Sequence, residues 1–260
     1  MLKRFLSVIG AYKFYEKWLW YQVKNGVKLE HIAIVLDGNR RWASEKVLDP
    51  WLGHEIGAEK VDELLEWCQK LDVKCITLYA FSTENFRRPK DEIEEIMRIA
   101  EEKFREILTD ERIHRNKVRV KVIGRVNLLP ESLQQLIVNV EKATQDYDEH
   151  FLNIAFAYGG RAEIVDAAKK IAEKVQEGEL SPEKVDEQIF EQHLYTSHMP
   201  KQDPDLIIRT SGEERLSGFL LWQSAYSELC FLDVYWPDFR LIDLLRAVRT
   251  FQNRKRRFGA

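Results

Sequence analysis

The sequence predicts one α/β domain, a central and mainly parallel sheet flanked by helices. Three observations predict it. Short apolar runs of strand length alternate with longer stretches whose apolar residues recur at helical spacing, the order that gives crossovers and parallel strands. Polar residues out of keeping with a core gather directly after several of those runs, where parallel sheets present their ligand sites. No repeat, low-complexity tract or long linker rich in Pro, Gly or Ser divides the chain.

Residues 1–30 stand apart as an amphipathic N-terminal segment, and residues 31–260 form the domain. The segment carries Lys3, Arg4, Lys13, Lys17, Lys24 and Lys28, with Phe5, Tyr12, Phe14, Trp18 and Tyr21 among the apolar residues between them. Its apolar stretch is too short for a signal peptide and lacks a small-residue cleavage site. Two readings stay open: an aromatic, basic helix lying in a membrane interface, or a helix docked on the protein's own surface or on a second subunit.

Residues 31–36 (HIAIVL) read as the first strand, with Asp-Gly-Asn directly after it. Residues 55–71 place Ile56, Val61, Leu64, Leu65, Cys68 and Leu71 at helical spacing, and 74–80 (KCITLYA) are rich in β-formers. Over 91–108, Ile93, Ile96, Met97, Ala100, Phe104, Ile107 and Leu108 make a long helix that is apolar on more than one face. Residues 118–123 alternate as a strand, and Pro130 opens a helix in its first turn. Residues 151–157 (FLNIAFA) read as a buried strand before Gly159-Gly160; a helix over 161–176 stops at Gly178, and Ser181-Pro182 caps the next. Residues 205–208 (DLII) and 218–221 (GFLL) are further short strands, and 241–251 is the closing helix.

Composition narrows the classes. A hydrophobic share of 45% and a charged share of 32% are globular values. With 40 basic and 43 acidic side chains the net charge is −3, which argues against a general nucleic-acid binder. Cys68, Cys75 and Cys230 form no CxxC pair, so neither a disulfide framework nor a cysteine zinc site is expected, and a reducing, cytoplasmic setting is the default. The longest run free of Asp, Glu, Lys and Arg, 216–227, is far short of a membrane span. Peripheral contact with a membrane surface stays open.

Three strand ends deliver the chemistry. After the first come Asp37, Gly38, Asn39, Arg40, Arg41 and Trp42; after the second, Ser82, Thr83, Glu84, Asn85, Phe86 and Arg88; after the 205–208 strand, Arg209, Arg215, Leu216 and Ser217. Glycines let backbone amides approach an anion, and several arginines suit a ligand with many phosphate oxygens. An aspartate among them is repelled by phosphate unless a divalent cation lies between, so the set points to Mg²⁺ and a diphosphate. No Walker loop or GxGxxG fingerprint occurs.

The segments HIAIVLDGNRRWA, LYAFSTENFRRP, IRTSGEERLSGFLLWQSAYSEL and the closing RRFG, in this order, resemble the cis-prenyltransferase family. The resemblance spans residues 31–259. It implies an α/β homodimer that condenses isopentenyl diphosphate onto an allylic diphosphate primer (farnesyl or geranylgeranyl diphosphate) with each new double bond cis. The product would be a long-chain polyprenyl diphosphate, the precursor of a glycosyl carrier lipid. Carried over, Asp37 is the Mg²⁺ ligand at the allylic diphosphate, with Glu228 completing the metal site. Gly38, Asn39, Arg40 and Arg41 cradle that diphosphate beside Trp42 and His54. Ser82, Thr83, Glu84, Asn85, Phe86 and Arg88 line the reacting centre. Arg209, Arg215, Leu216 and Ser217 hold isopentenyl diphosphate, and Arg257-Phe258-Gly259 reaches a partner subunit's site.

The family assigns proton acceptance to the position of Asn85. A neutral amide is barely basic, so here Asn85 is expected to orient water or substrate while a diphosphate oxygen takes the proton. The long helix is expected to wall a tunnel for the growing chain, with Ile93, Ile96, Met97 and Ala100 tuning product length. Two positions depart from many bacterial members: Pro50 replaces an arginine, and Glu214 a histidine. Bland roles stay open beside these: Trp42 and Phe86 as core aromatics, His54 as a cap, and Glu228 paired to an arginine. Two other functions are weighed. A non-catalytic partner subunit would lack the Asp37 and arginine set that this chain keeps, and a phosphohydrolase would show a DxD nucleophile motif, which is absent.

Overall fold

A computed structural model describes residues 11–254; the Arg257-Phe258-Gly259 tail and the first ten residues of the N-terminal segment lie outside them. In chain order the elements are α1 (Ala11–Lys24), β1 (His31–Val35), α2 (Asn39–Glu45), α3 (Pro50–Lys70) and β2 (Cys75–Ser82). A 3-10 turn (Thr83–Arg87), α4 (Lys90–Thr109), α5 (Glu111–Arg115), β3 (Val118–Ile123), α6 (Glu131–Thr144) and β4 (His150–Tyr158) follow. The last are α7 (Gly160–Gln176), α8 (Glu187–Glu191), β5 (Leu206–Arg209), β6 (Glu228–Phe231) and α9 (Leu241–Asn253).

The six strands form one sheet in the order β3-β4-β2-β1-β5-β6, every pair parallel. Chain progress reverses at β1, which has β2 on one side and β5 on the other. The crevice between the C-terminal ends of β1 and β5 is therefore the switch point at which such sheets bind ligands. Register there is set from the opposite end: the Asp205 carboxylate accepts from the Glu30 and His31 amides at 2.8 and 3.0 Å, so Val35 lies beside Arg209.

Alternate strand residues feed two cores, as the pleat requires. Ile32, Ile34, Leu78, Leu152 and Ile208 pack under α3, α4, α6 and α9, whereas Ala33, Val35, Tyr79 and Ile207 face Phe219 and Leu220. Helix α1 docks on this body. Leu19 and Val23 are buried in the larger core, and Gln252 of α9 donates to the carbonyls of Val23 and Val27 at 2.9 and 2.8 Å, tying the end of the helix to α9. Its other face stays in solvent, with Phe14 76%, Trp18 42% and Tyr21 71% exposed. Among the described residues no helix is long and apolar enough to cross a membrane.

Three expectations about elements change. Residues 218–221 are not a strand: Ser217, Gly218 and Leu220 have φ of 49°, 81° and 43°, a left-handed backbone, and the apolar run is satisfied by turns that bury Phe219 and Leu220. The sixth strand is β6, which the sequence reading passed over. Pro130 caps α6 from outside instead of occupying its first turn, and Ser181-Pro182 leads only a 3-10 turn (Pro182–Lys184).

Candidate active site

Asp37 leaves β1 into a tight turn. Gly38 makes it possible: its φ is 102°, and a Cβ there would lie 2.6 Å from the Tyr235 ring. Thr210, just past β5, fixes the aspartate backbone, accepting from its N–H at 3.0 Å and donating to its carbonyl at 2.7 Å. Helix α2 then starts against α3 so closely that a Cβ on Gly53 would fall 2.2 Å from the Asn39 carbonyl oxygen.

Arg209 binds one oxygen of Asp37 through Nη2 at 2.7 Å and Nε at 3.3 Å, and its Nη1 reaches the Ser217 hydroxyl at 2.7 Å. Arg41 donates to the Ser211 hydroxyl at 2.6 Å and to Glu213 at 3.2 Å, with Asp37 at 3.5 Å. Burial opposes ionisation of Asp37, but the Arg209 hydrogen bonds and charge, the Ser211 hydroxyl and Arg41 outweigh it and hold the carboxyl below its ordinary value. Asp37 is an anion at neutral pH.

A second cluster hangs on Glu92, a buried carboxylate of α4. One oxygen of Glu92 meets Arg88 at 3.1 Å, His54 Nε2 at 3.3 Å and Arg40 at 3.6 Å. Burial and then the Arg88 charge push His54 down to about 4, so its imidazole is neutral. In the turn after β2, the Asn85 side-chain oxygen accepts the Ser82 N–H at 2.9 Å. That oxygen is committed to the backbone. What Asn85 presents elsewhere is its NH₂, a donor and not a base.

Asp37, Arg40, Arg41, His54, Asn85, Arg88 and Arg209 line one polar cleft of about 1060 Å³. Of the residues singled out in the sequence, Asp37, Gly38, Asn39, Arg40, Arg41, His54, Ser82, Thr83, Glu84, Asn85, Arg88, Arg209 and Ser217 are brought together on its wall. Trp42 is buried beneath Lys46, and Phe86 stands edge-on to Phe81, facing away toward Ile93 and Met97. Leu216 packs on the smaller core, and Arg215 pairs with Glu213. Glu228 sits at the first position of β6, level with Leu206 and so about 10 Å of strand below Arg209. It pairs with Arg254, and the structure does not bring it to Asp37. Behind the cleft, between α3, α4 and the sheet, lies an apolar pocket of about 390 Å³ that shares Leu36, Asn39, His54 and Ala80 with it.

Residues 35–259 match the profile of the family described as "Putative undecaprenyl diphosphate synthase". The chain belongs to this family, the cis-prenyltransferases. It is 55% identical over 256 residues to a tritrans,polycis-undecaprenyl-diphosphate synthase (geranylgeranyl-diphosphate specific) of Methanocaldococcus jannaschii, covering 98% of this chain and 91% of that one. A protein of the same name from Pyrococcus horikoshii is 53% identical, with 96% and 94% covered. The fold superposes on lavandulyl diphosphate synthase of Lavandula x intermedia, solved with dimethylallyl diphosphate, with a TM-score of 0.85, 38% identity and 90% and 99% of the two chains covered.

The candidate site of this cis-prenyltransferase holds residues that the sequence does not single out. Arg161, Gly159 and Gly160 line the cleft after β4, and the Gly160 N–H donates to the Gly218 carbonyl at 2.8 Å. The rule that exposed Asp37, arginine and glycine after a strand, would have found them. Glu92 gave no such signal. Among the described residues no group of three or more His, Cys, Asp or Glu side chains forms a metal cage. The donor set nevertheless fits Mg²⁺, which binds through one or two carboxylates completed by phosphate oxygens and water; Asp37 supplies one such carboxylate.

Proposed function

We propose that this prenyltransferase elongates an allylic diphosphate by successive cis addition of isopentenyl diphosphate, giving a long-chain polyprenyl diphosphate that serves as precursor of a glycosyl carrier lipid. One observation carries the reading: a cationic cleft opens directly into an apolar pocket, the two halves of an amphiphilic diphosphate. Geranylgeranyl diphosphate is the proposed primer, the specificity named for the relatives above.

The polar end of the primer lies over Gly38 and the start of α2, where backbone amides and Arg40, Arg41 and Arg88 take phosphate oxygens. Asp37 would hold Mg²⁺ against them; when bound, the ion offsets diphosphate charge and eases its departure. Arg209 and Ser217 receive isopentenyl diphosphate across the cleft. The allylic C–O bond breaks, the terminal alkene carbon of isopentenyl diphosphate bonds to the allylic carbon, and a proton leaves the adjoining methylene. With its oxygen tied to Ser82, Asn85 donates through its NH₂ and orients a diphosphate oxygen that accepts this proton. A homodimer in which the Arg257-Phe258-Gly259 tail reaches the neighbouring site is part of the proposal, as is peripheral membrane contact through α1.

The test is product analysis with purified protein, Mg²⁺, labelled isopentenyl diphosphate and allylic primers of several lengths. Long products with cis double bonds are expected, best primed by geranylgeranyl diphosphate. Asp37→Asn should lower the rate by about 10²–10³. Absence of extension with every primer, or trans products, would overturn the reading.

A further inference from the structure

One carboxylate outside the assigned set serves an arginine from each side of the cleft. Past β5 the chain turns through Ser211 and Gly212, whose φ values are 79° and 73°. Their N–H groups donate to the Val234 and Leu232 carbonyls at 2.7 and 2.9 Å, and the turn so fixed presents Glu213 toward α2. One Glu213 oxygen accepts from Arg41 at 3.2 Å, and the other pairs with Arg215. Arg41 stands on the side proposed for the allylic diphosphate. Arg215 stands on the side proposed for isopentenyl diphosphate, its carbonyl accepting from Arg209 at 2.5 Å. Asp37 also meets an arginine from each side, Arg41 and Arg209, but it is the proposed ligand of Mg²⁺. Glu213 has no such duty.

We propose that Glu213 is a release residue, the anion that takes Arg41 back from inorganic diphosphate after each addition; the inference rests on the elongation reading above. In that reaction the allylic C–O bond breaks and its diphosphate leaves as the inorganic product, whereas the diphosphate of isopentenyl diphosphate stays on the lengthened chain. Two polyanions thus face each other across the cleft after every condensation. Before the next round the first must leave Arg41 and the second must cross to it. Charge-assisted pairs between arginine and phosphate are strong, and stronger in a cleft than in open water. A carboxylate within reach of both arginines competes for the same donors, so a guanidinium that lets go of phosphate gains a partner instead of standing bare. Glu213 suits this exchange because its side chain is 28% exposed. Water can solvate it while phosphate holds the arginines, a state that would be costly for a fully buried carboxylate.

Inorganic diphosphate with Mg²⁺ is the probe. In calorimetric titrations Glu213→Gln and Glu213→Ala should bind it about tenfold more tightly than the wild type, the gain expected when two part-exposed ion pairs no longer compete. Glu213→Asp, which keeps the charge, should lie near the wild type. A merely structural role predicts the opposite sign, weaker binding as the turn loses its shape. With enzyme in excess over primer, rapid quenching should show successive additions at nearly equal rates in the wild type, and a second addition slower than the first in Glu213→Gln. The wild-type arm needs no variant to fold. In a wild type that elongates, a slowed second addition, or unchanged or weaker binding by both neutral variants, would overturn the release role and leave the activity standing. No elongation by the wild type would overturn both.

Discussion

Glu92 shows why the proposed diphosphate site needs residues that would never touch the diphosphate. Three cationic or polar side chains converge on one of its oxygens. Without that carboxylate, Arg40 and Arg88 would repel each other and lose their aim. Glu92→Gln is expected to raise KM for the allylic substrate about tenfold with a smaller change in kcat, the pattern of a positioning residue. Steady-state kinetics with each substrate varied in turn checks it; a loss confined to kcat would contradict the role. Asp37 and the arginines were legible from sequence because such residues rarely follow a strand without a ligand. Glu92 stayed hidden because an acid in a helix's first turn is ordinary, complementing the dipole. Glu228 shows the converse, since its partner Arg254 is remote in sequence and only the fold reveals it.

His31 carries the clearest pH dependence. It is fully buried against Thr77 at 2.9 Å, and burial pushes its pKa down to about 4. The unfolded chain binds the proton first as pH falls below about 6.5, so stability drops between that value and about 4 and is retained above it. The loss from this one group is about 3 kcal/mol. His31→Gln should reduce the slope of denaturation midpoints across that window without abolishing it, because burial also holds His54 and His198 down to about 4; an unchanged slope would contradict a neutral buried histidine.

Helix α1 has a buried face and an exposed one, and the membrane contact proposed for the second is separable from the packing of the first. Leu19→Ala should destabilise the protein by about 2–5 kcal/mol, the usual cost of truncating a buried leucine, read from denaturant midpoints. Replacing Phe14 and Tyr21 together by serine should leave stability nearly unchanged yet lower co-sedimentation with anionic vesicles, since those rings are exposed among Lys13, Lys17 and Lys24. Equal sedimentation of both proteins would remove the membrane role. Periodicity located the long helices and central strands because both are buried on a defined face. It misread 218–221 because four apolar residues can be buried as well by turns as by a strand. It passed over β6 because an edge strand starting with Glu228 is only half-buried and needs no apolar alternation.

For the whole molecule, the parallel sheet was legible from alternation, but its strand order was not. Placing β5 beside β1 brings Arg209 to Asp37 from far along the chain, and that juxtaposition makes the site. The expected tunnel wall is likewise resolved only in three dimensions: Ile96 and Ala100 line the apolar pocket, while Ile93 and Met97 face Phe86 and Leu129 on the opposite side of α4. Bulk at Ala100 should therefore shorten products, whereas bulk at Ile93 should not.

If cleft and pocket hold one amphiphile, a crystal structure with Mg²⁺ and a thiolo analogue of geranylgeranyl diphosphate will show it in both. The diphosphate is expected at Asp37, Gly38 and Arg41, with the tail passing His54 between α3 and α4 toward Asp62. A tail lying outside that pocket, or a diphosphate bound away from Asp37, would contradict it.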